Sequence, residues 1–345
     1  MEDAVVLAES VFGTTYGKTA NGLVRFSRRY NVRYVIDSSH AGEDAGMILN
    51  GRQCGIPVVA AIPSNPDPPL STLVVGVATD GGVLPPKYRR FIAEALKSGL
   101  NVVSGLHEFL SDDPEFAKLA SKNGRSITDV RKMFRDRKDA FTGRILDVKA
   151  KKIAVLGTDS AVGKRTTSVF LSENMKKRGN ASEMIGTGQT SWMQGFKYTI
   201  VLDAIINDFV AGALEKVTVD AWNDLHPDYM FLEGQGSVLH PAYPGSFEII
   251  GALHPDAIIL QHSPKRLYYD GFEQFKIPPL EKYIQILELL SDKKVIAIAI
   301  NRDDMTDREM HDYMEMAEKK YGIPAFDPLG NLDQITAYIQ DTVGK

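Results

Sequence analysis

The apolar run Ile153-Ala154-Val155-Leu156 passes directly into Gly157-Thr158-Asp159-Ser160-Ala161-Val162-Gly163-Lys164-Arg165-Thr166-Thr167, and helical spacing follows over Ser168–Lys177. Strand, glycine-rich turn and helix in that order tie this stretch to a parallel α/β sheet. Glycine lets the backbone wrap with its N–H groups turned inward. The helix N-terminus adds a partial positive charge and Lys164 a full one. Such a set holds a di- or triphosphate. An ordinary βα turn accounts for the glycines but not for Gly-Lys-x-Thr-Thr in this context. Gly157, Thr158, Asp159, Ser160, Gly163, Lys164, Arg165, Thr166 and Thr167 are therefore candidate cofactor contacts.

Two departures from the standard phosphate loop bear on the cofactor. Five residues separate Gly157 from Gly163, one more than usual. Arg165 stands where a Ser or Thr would coordinate Mg²⁺. Either Thr166 or Thr167 substitutes after a small helix shift, or the site works without Mg²⁺ and Arg165 itself neutralises phosphate.

The alternation of strands and helices extends over the whole chain. Val5–Ala8, Arg33–Ile36, Pro57–Ile62, Leu73–Val77 and Asn101–Ser104 read as strands. Lys18–Tyr30 and Lys87–Ser98 read as helices, the latter with Pro86 before it and Gly99 as its stop. Ser111-Asp112-Asp113-Pro114-Glu115 is a helix start and Gly124 a stop. After the phosphate loop, strands are expected at Tyr229–Leu232, Ala257–Leu260 and Val295–Ile300, and helices over Thr199–Glu215 and Leu280–Leu290. At 345 residues, two domains are expected: an α/β domain over 1–148 and a second, with a mostly parallel sheet, over 149–345.

The formal net charge of −4 gives no global reason to expect nucleic acid. The single cysteine, Cys54, excludes an intrachain disulfide and a cysteine zinc cluster and fits a reducing cytoplasm. No apolar stretch approaches the ~20 residues that span a membrane, and Met1-Glu2-Asp3-Ala4 does not open a signal peptide. The expected location is cytoplasmic. Residues 122–152 carry eleven Lys or Arg against four Asp. That run reads equally well as a solvated linker or as a positive collar beside the phosphate site.

The Gly-Thr-Asp-x-x-Val-Gly-Lys run resembles the dethiobiotin synthetase and cobyrinate amidase branch of the P-loop proteins. Phe231-Leu232-Glu233-Gly234-Gln235-Gly236, Ala257–Leu260 and Ala297-Ile298-Ala299-Ile300-Asn301-Arg302 extend the resemblance in the same order. It implies a P-loop NTPase-like C-terminal fold, with Asn301 and Arg302 joining the cofactor contacts. End to end, the chain resembles a two-part family long catalogued as of unknown function, which pairs a Rossmann-like N-terminal domain with a P-loop domain. The residues that carry this are Tyr16-Gly17-Lys18-Thr19-Ala20, Asp37-Ser38-Ser39-His40-Ala41-Gly42, Gly99 to His107, Asp129-Val130-Arg131-Lys132, Gly157–Thr167, and Glu233 to Gly236 with His240-Pro241. At least one branch of that family is D-glutamate N-acetyltransferase. The resemblance implies transfer of acetyl from acetyl-CoA to the amino group of an acidic amino acid. The alternatives are an ATP-dependent ligase or kinase using ATP with Mg²⁺, and a non-enzymatic nucleotide-binding protein.

Position alone nominates the remaining groups. His240 follows Glu233-Gly-x-Gly by a few residues, at the edge where α/β sites form, and neutral His is a suitable base near pH 7. His240 and Glu233 are the candidate bases, and backbone N–H groups near Gly234–Ser237 the candidate oxyanion donors. Arg131, Lys265 and Arg266 are candidates for substrate carboxylates, which Arg holds bidentately. Asp37 ends a strand where dinucleotide-binding folds place a ribose-binding acid, but no Gly-x-Gly-x-x-Gly precedes it. No His-x-Glu or Glu-x-x-His pair suggests a catalytic metal. The expected partner is a small-molecule substrate, neither nucleic acid nor membrane, with a homo-oligomer left open.

Overall fold

A computed structural model describes residues 1–344. The chain forms two compact units, residues 1–136 with 189–197 and residues 137–188 with 198–345. The first unit contains β1 (Glu2–Leu7), α1 (Lys18–Arg25), β2 (Tyr30–Ile36), α2 (Ala45–Asn50), β3 (Val58–Val59), β4 (Thr72–Val75), α3 (Pro86–Lys97), β5 (Asn101–Ser104), α4 (Pro114–Lys122), β6 (Ile127–Asp129) and α5 (Val130–Arg135). Its six strands are parallel, in the order β3-β2-β1-β4-β5-β6. Val5, Val6 and Leu7 of the inner strand β1 have no exposed surface, as a strand covered on both faces requires.

Local chemistry sets several boundaries where the sequence places them. Pro86 occupies the first turn of α3, and Gly99 takes φ +82° just beyond its end. The Asp113 carboxylate accepts from the N–H groups of Glu115 and Phe116 to cap α4. The helix expected over Lys18–Tyr30 stops at Arg25, and the strand expected over Pro57–Ile62 contracts to Val58–Val59. Asp37, past the end of β2, is fully buried. Its carboxylate accepts from Ser10 N, Phe12 N, Ser39 N and Ser39 Oγ at 2.5–3.0 Å. It braces the loops of its own unit.

The second unit contains β7 (Lys151–Gly157), α6 (Lys164–Lys177), β8 (Ser182–Ile185), then, after the short α7 (Gln189–Met193) that belongs to the first unit, α8 (Asn207–Leu225), β9 (Tyr229–Glu233), α9 (Ser246–Leu253) and β10 (Ala257–His262). A hairpin of β11 (Tyr268–Tyr269) and β12 (Phe272–Lys276) follows, then α10 (Leu280–Ser291), β13 (Val295–Ile300), α11 (Asp307–Tyr321), β14 (Ala325–Phe326) and α12 (Asp333–Val343). The main sheet is parallel in the order β14-β13-β10-β7-β9-β8. Its phosphate-loop strand, β7, is therefore interior, and Ile153 to Leu156 are fully buried. The helix expected over Thr199–Glu215 begins only at Asn207. The β-branched Thr199-Ile200-Val201 instead runs extended beside Gly186, where the pleated conformation suits them.

Residues 189–197 are secured within the first unit by specific contacts. The Arg28 N–H donates to Gln194 O at 2.7 Å, and Gln194 Nε2 donates to Gly22 O and Phe26 O. The Arg29 guanidinium lies 3.9 Å from the centre of the Trp192 ring.

The units divide at 136/137, ahead of the boundary near 148 read from sequence. Residues 137–148 belong with α8. The buried Glu215 carboxylate accepts from Thr142 N, Thr142 Oγ and Ile145 N at 2.6, 2.8 and 3.1 Å. One turn earlier, a Cβ on Gly212 would fall 1.9 Å from Asp139 O. Gly212→Ala is therefore expected to force the segment off the helix and cost about 1–3 kcal/mol. Urea unfolding followed through Trp222, on α8, measures this; an unshifted midpoint would show that the close approach contributes nothing.

Candidate functional site

The second unit builds its candidate site at the C-terminal edge of β7, β9 and β10. A Cβ on Gly157 would meet Lys164 Cδ at 2.9 Å, and one on Gly234, just past β9, would meet Val155 O at 2.3 Å and Lys164 Cδ at 2.9 Å. Two glycines thus make room for the Lys164 stem, and its Nζ donates to Asp159 O at 2.6 Å. Gly163 takes φ +103° immediately before α6, and Ala161 takes φ +51°, a left-handed conformation that costs a non-glycine residue energy. The loop is held in this shape from outside. Asn301 Nδ2 donates to Val162 O at 3.0 Å and Thr158 N donates to Gln261 O at 3.0 Å. Helix α6 starts at Lys164, so its first-turn N–H groups, which lack partners within the helix, head the loop.

The side chains around this cradle divide by task. Thr167 Oγ donates to Gln261 Oε1, so that hydroxyl braces β10. Thr158 Oγ lies 3.0 Å from His262 Nδ1. Burial pushes the His262 pKa down to about 4, so the imidazole is neutral at pH 7. Thr166 is half-buried in the first turn of α6. Glu233, at the end of β9, is buried and accepts from Thr187 N at 2.9 Å. Burial disfavours the charged guanidinium of Arg165, and the negative charge of Glu233 offsets part of that cost. A carboxylate, a guanidinium and an ammonium therefore share one sheet edge with a helix N-terminus.

His240 occupies a different position from that of an accessible base. Its side chain has no exposed surface. Its Nδ1 accepts from Ala242 N at 3.1 Å and Tyr243 N at 3.0 Å, which assigns the ring proton to Nε2. That Nε2 lies 3.3 Å from Asp159 Oδ1, in an approach too oblique for a full hydrogen bond. Arg266 is likewise engaged, donating to Asp159 Oδ2, Ser160 O and Asp303 Oδ2 at 2.9–3.0 Å.

The other expected groups are dispersed. Lys265 pairs with Glu309 on the surface, and the exposed Arg302 pairs with Asp307 and with the more buried Asp327. Arg131 belongs to the first unit, where its Nη2 donates to Gln189 Oε1 at 3.2 Å. Two of the expected oxyanion donors are already used: Gly234 N–H goes to Val155 O and Ser237 N–H to Tyr243 O. The basic run 122–152 is split between the units, and Lys132, Arg135 and Arg137 pair with Asp112, Asp136 and Asp139. The sequence reading missed Gln261 and the β11–β12 hairpin. Only the hairpin carried a local signal, the Asp270-Gly271 pair at its turn. Among the described residues, no helix is long and apolar enough to cross a membrane, and no cluster of three or more His, Cys, Asp or Glu could hold a metal.

Comparison with known proteins fits this architecture. Residues 139–336 match the domain of unknown function DUF1611_C, described as a P-loop domain, and residues 38–133 match DUF1611_N, described as a Rossmann-like domain. The chain belongs to the DUF1611 family. A crystal structure of a DUF1611 family protein from Anabaena variabilis superimposes with a TM-score of 0.89 at 28% identity, covering 99% of this chain and 100% of that one. Two curated relatives of this DUF1611 protein are named D-glutamate N-acetyltransferase. The one from Tritonibacter scottomollicae is 34% identical over 269 residues, 74% of this chain and 77% of its own. The one from a Pseudoalteromonas species is 32% identical over 274 residues, 77% of this chain and 80% of its own.

Proposed function

We propose that this DUF1611 protein is an N-acetyltransferase that moves acetyl from acetyl-CoA to the amino group of an acidic amino acid, with D-glutamate as the acceptor. The observation that carries the reading is the pair of relatives of that name, each matched over about three-quarters of the chain. The donor set of the second unit supports it. A coenzyme A diphosphate suits the first-turn N–H groups of α6 together with Lys164 and Arg165. The guanidinium of Arg165 stands where a hydroxyl would otherwise recruit Mg²⁺. Bound in this way, the coenzyme supplies an acetyl thioester open to attack by an amine.

The chain's own residues then have separable tasks. Glu233 takes the proton that the acceptor's ammonium group must lose before its nitrogen attacks. Thr187 N–H fixes one oxygen of that carboxylate, and the carboxylate's negative charge in turn offsets part of the burial cost of the Arg165 guanidinium. The Thr158 hydroxyl, oriented by neutral His262, is a donor at the loop for charge that develops on the thioester oxygen. The net reaction forms an N–C bond and breaks the C–S bond, and the thiol leaves with a proton.

The expected result of mixing the protein with acetyl-CoA and D-glutamate is free thiol and N-acetylglutamate. D-Glutamate should outperform D-alanine, as the shared name of the two relatives implies. Thiol release is followed colorimetrically across a panel of L- and D-amino acids. No acceptor-dependent release anywhere in the panel would remove the acetyltransferase reading, and ATP consumption with the same panel would replace it by the ligase alternative.

A further inference from the structure

Asp159 is an acid inside an anion cradle. It lies between Gly157 and Gly163, and its side chain has no exposed surface. A bare carboxylate there would oppose a diphosphate strongly, since charges interact with little screening away from water. The surrounding groups offset it from several directions. Arg266 Nη1 donates to Oδ2 at 3.0 Å, Asp270 N donates to Oδ2 at 2.9 Å, and Ser160 N donates to Oδ1 at 2.6 Å. His240 Nε2 lies 3.3 Å from Oδ1. Burial alone would raise the Asp159 pKa, but His240, the Asp270 N–H and Arg266 outweigh it and hold the group below its ordinary value. Asp159 is therefore ionised, and its charge is met inside the protein.

The groups that meet it are themselves fixed. Arg266 Nη2 donates to Asp303 Oδ2 at 3.0 Å. The His240 ring packs at centroid distances of 4.8 Å from both Tyr243 and Tyr269 and 5.5 Å from Phe272. Tyr269 and Phe272 come from the hairpin whose turn residue, Asp270, also donates to Asp159. Loop, hairpin and the 240–243 segment converge on one carboxylate.

We propose that Arg266 and His240 are positioning residues, Arg266 neutralising Asp159 and the His240 ring anchoring it, so that a loop carrying its own acid still closes around a diphosphate. The inference rests on the phosphate-binding part of the proposed function and is independent of acetyl transfer.

The test is calorimetric titration of the full chain with coenzyme A and, separately, with inorganic pyrophosphate. Arg266→Gln leaves the Asp159 charge facing the ligand and is expected to weaken both probes roughly 10- to 100-fold. Adding Asp159→Asn to that variant should recover most of the loss, because the charge that Arg266 offsets is gone. A double variant that binds no better than Arg266→Gln alone would overturn the proposal. So would a rise in the KM for D-glutamate with unchanged coenzyme A affinity, which would make Arg266 a substrate clamp. If Arg266→Gln does not fold, as thermal unfolding will show, the double variant compared with wild type carries the test. Binding by the double variant upholds the proposal, and loss of binding overturns it. For His240→Gln the expected loss is in coenzyme A affinity. A larger fall in kcat at saturating coenzyme would mark the imidazole as a base and overturn its positioning role. Wild type that binds neither probe overturns the phosphate reading as well, whereas pyrophosphate binding without acetyl transfer overturns only the acetyltransferase reading.

Discussion

Glu233→Gln is expected to lower kcat roughly 10²–10⁴-fold, the range that a positioned base contributes, with coenzyme A affinity unchanged or tighter. Glutamine keeps the volume of the side chain and a carbonyl oxygen for Thr187 N–H, which glutamate accepts at 2.9 Å. It removes the proton affinity that the reaction needs. It also removes the negative charge that Arg165 feels, so the guanidinium acts more fully on phosphate. Part of the lost rate should return at alkaline pH, where the acceptor amine sheds its proton to water. Steady-state kinetics across pH, with calorimetric Kd values beside them, separate these effects. A kcat equal to wild type would take the base role from Glu233.

Lys164→Ala is expected to weaken coenzyme A binding by roughly 10- to 150-fold, as loss of one charge-assisted contact worth ~1.5–3 kcal/mol implies. Lys164→Arg should not rescue it. The lysine stem passes Gly157 and Gly234 at positions where even an added Cβ would sit 2.9 Å away, which leaves no room for a broader planar head. The same titration checks both variants. Full affinity in Lys164→Ala would show that the cradle does not hold the coenzyme's phosphates, and full affinity in Lys164→Arg would show that charge alone suffices.

Several parts of the fold were legible because their causes lie within a turn of one another. Pro86, Asp113-Pro114, Gly99 and Gly124 mark helix ends through φ preferences and short side-chain bonds that act over a few residues. The phosphate loop is of this kind too. Gly157, Gly163 and Lys164 are close in sequence, and the conformations that they require are local. The alternation of apolar strands with helices likewise reports a parallel sheet, since a strand buried on both faces must be apolar throughout. The helix expected over Thr199–Glu215 starts late, at Asn207, for the complementary reason. Thr199-Ile200-Val201 is β-branched throughout, and the pairing partner of Thr199, Gly186, is supplied by another part of the chain.

The amino-acid order alone determined two α/β domains, a glycine-rich turn at 157–167 heading a helix, and an acid at the end of β9. It did not determine what the charged groups around that turn do. Arg266 reads as a loop cation with a free guanidinium until the fold brings Asp159, 107 residues away, to 3.0 Å. His240 reads as a base until Ala242 and Tyr243 direct their N–H groups at its Nδ1 and leave the proton on the nitrogen that faces Asp159. Glu233 acquires its orientation from Thr187, 46 residues earlier. Side-chain type states which bonds and charges a residue is capable of. Which of those capacities are already satisfied depends on groups distant in sequence, and only tertiary packing brings those groups within hydrogen-bond reach.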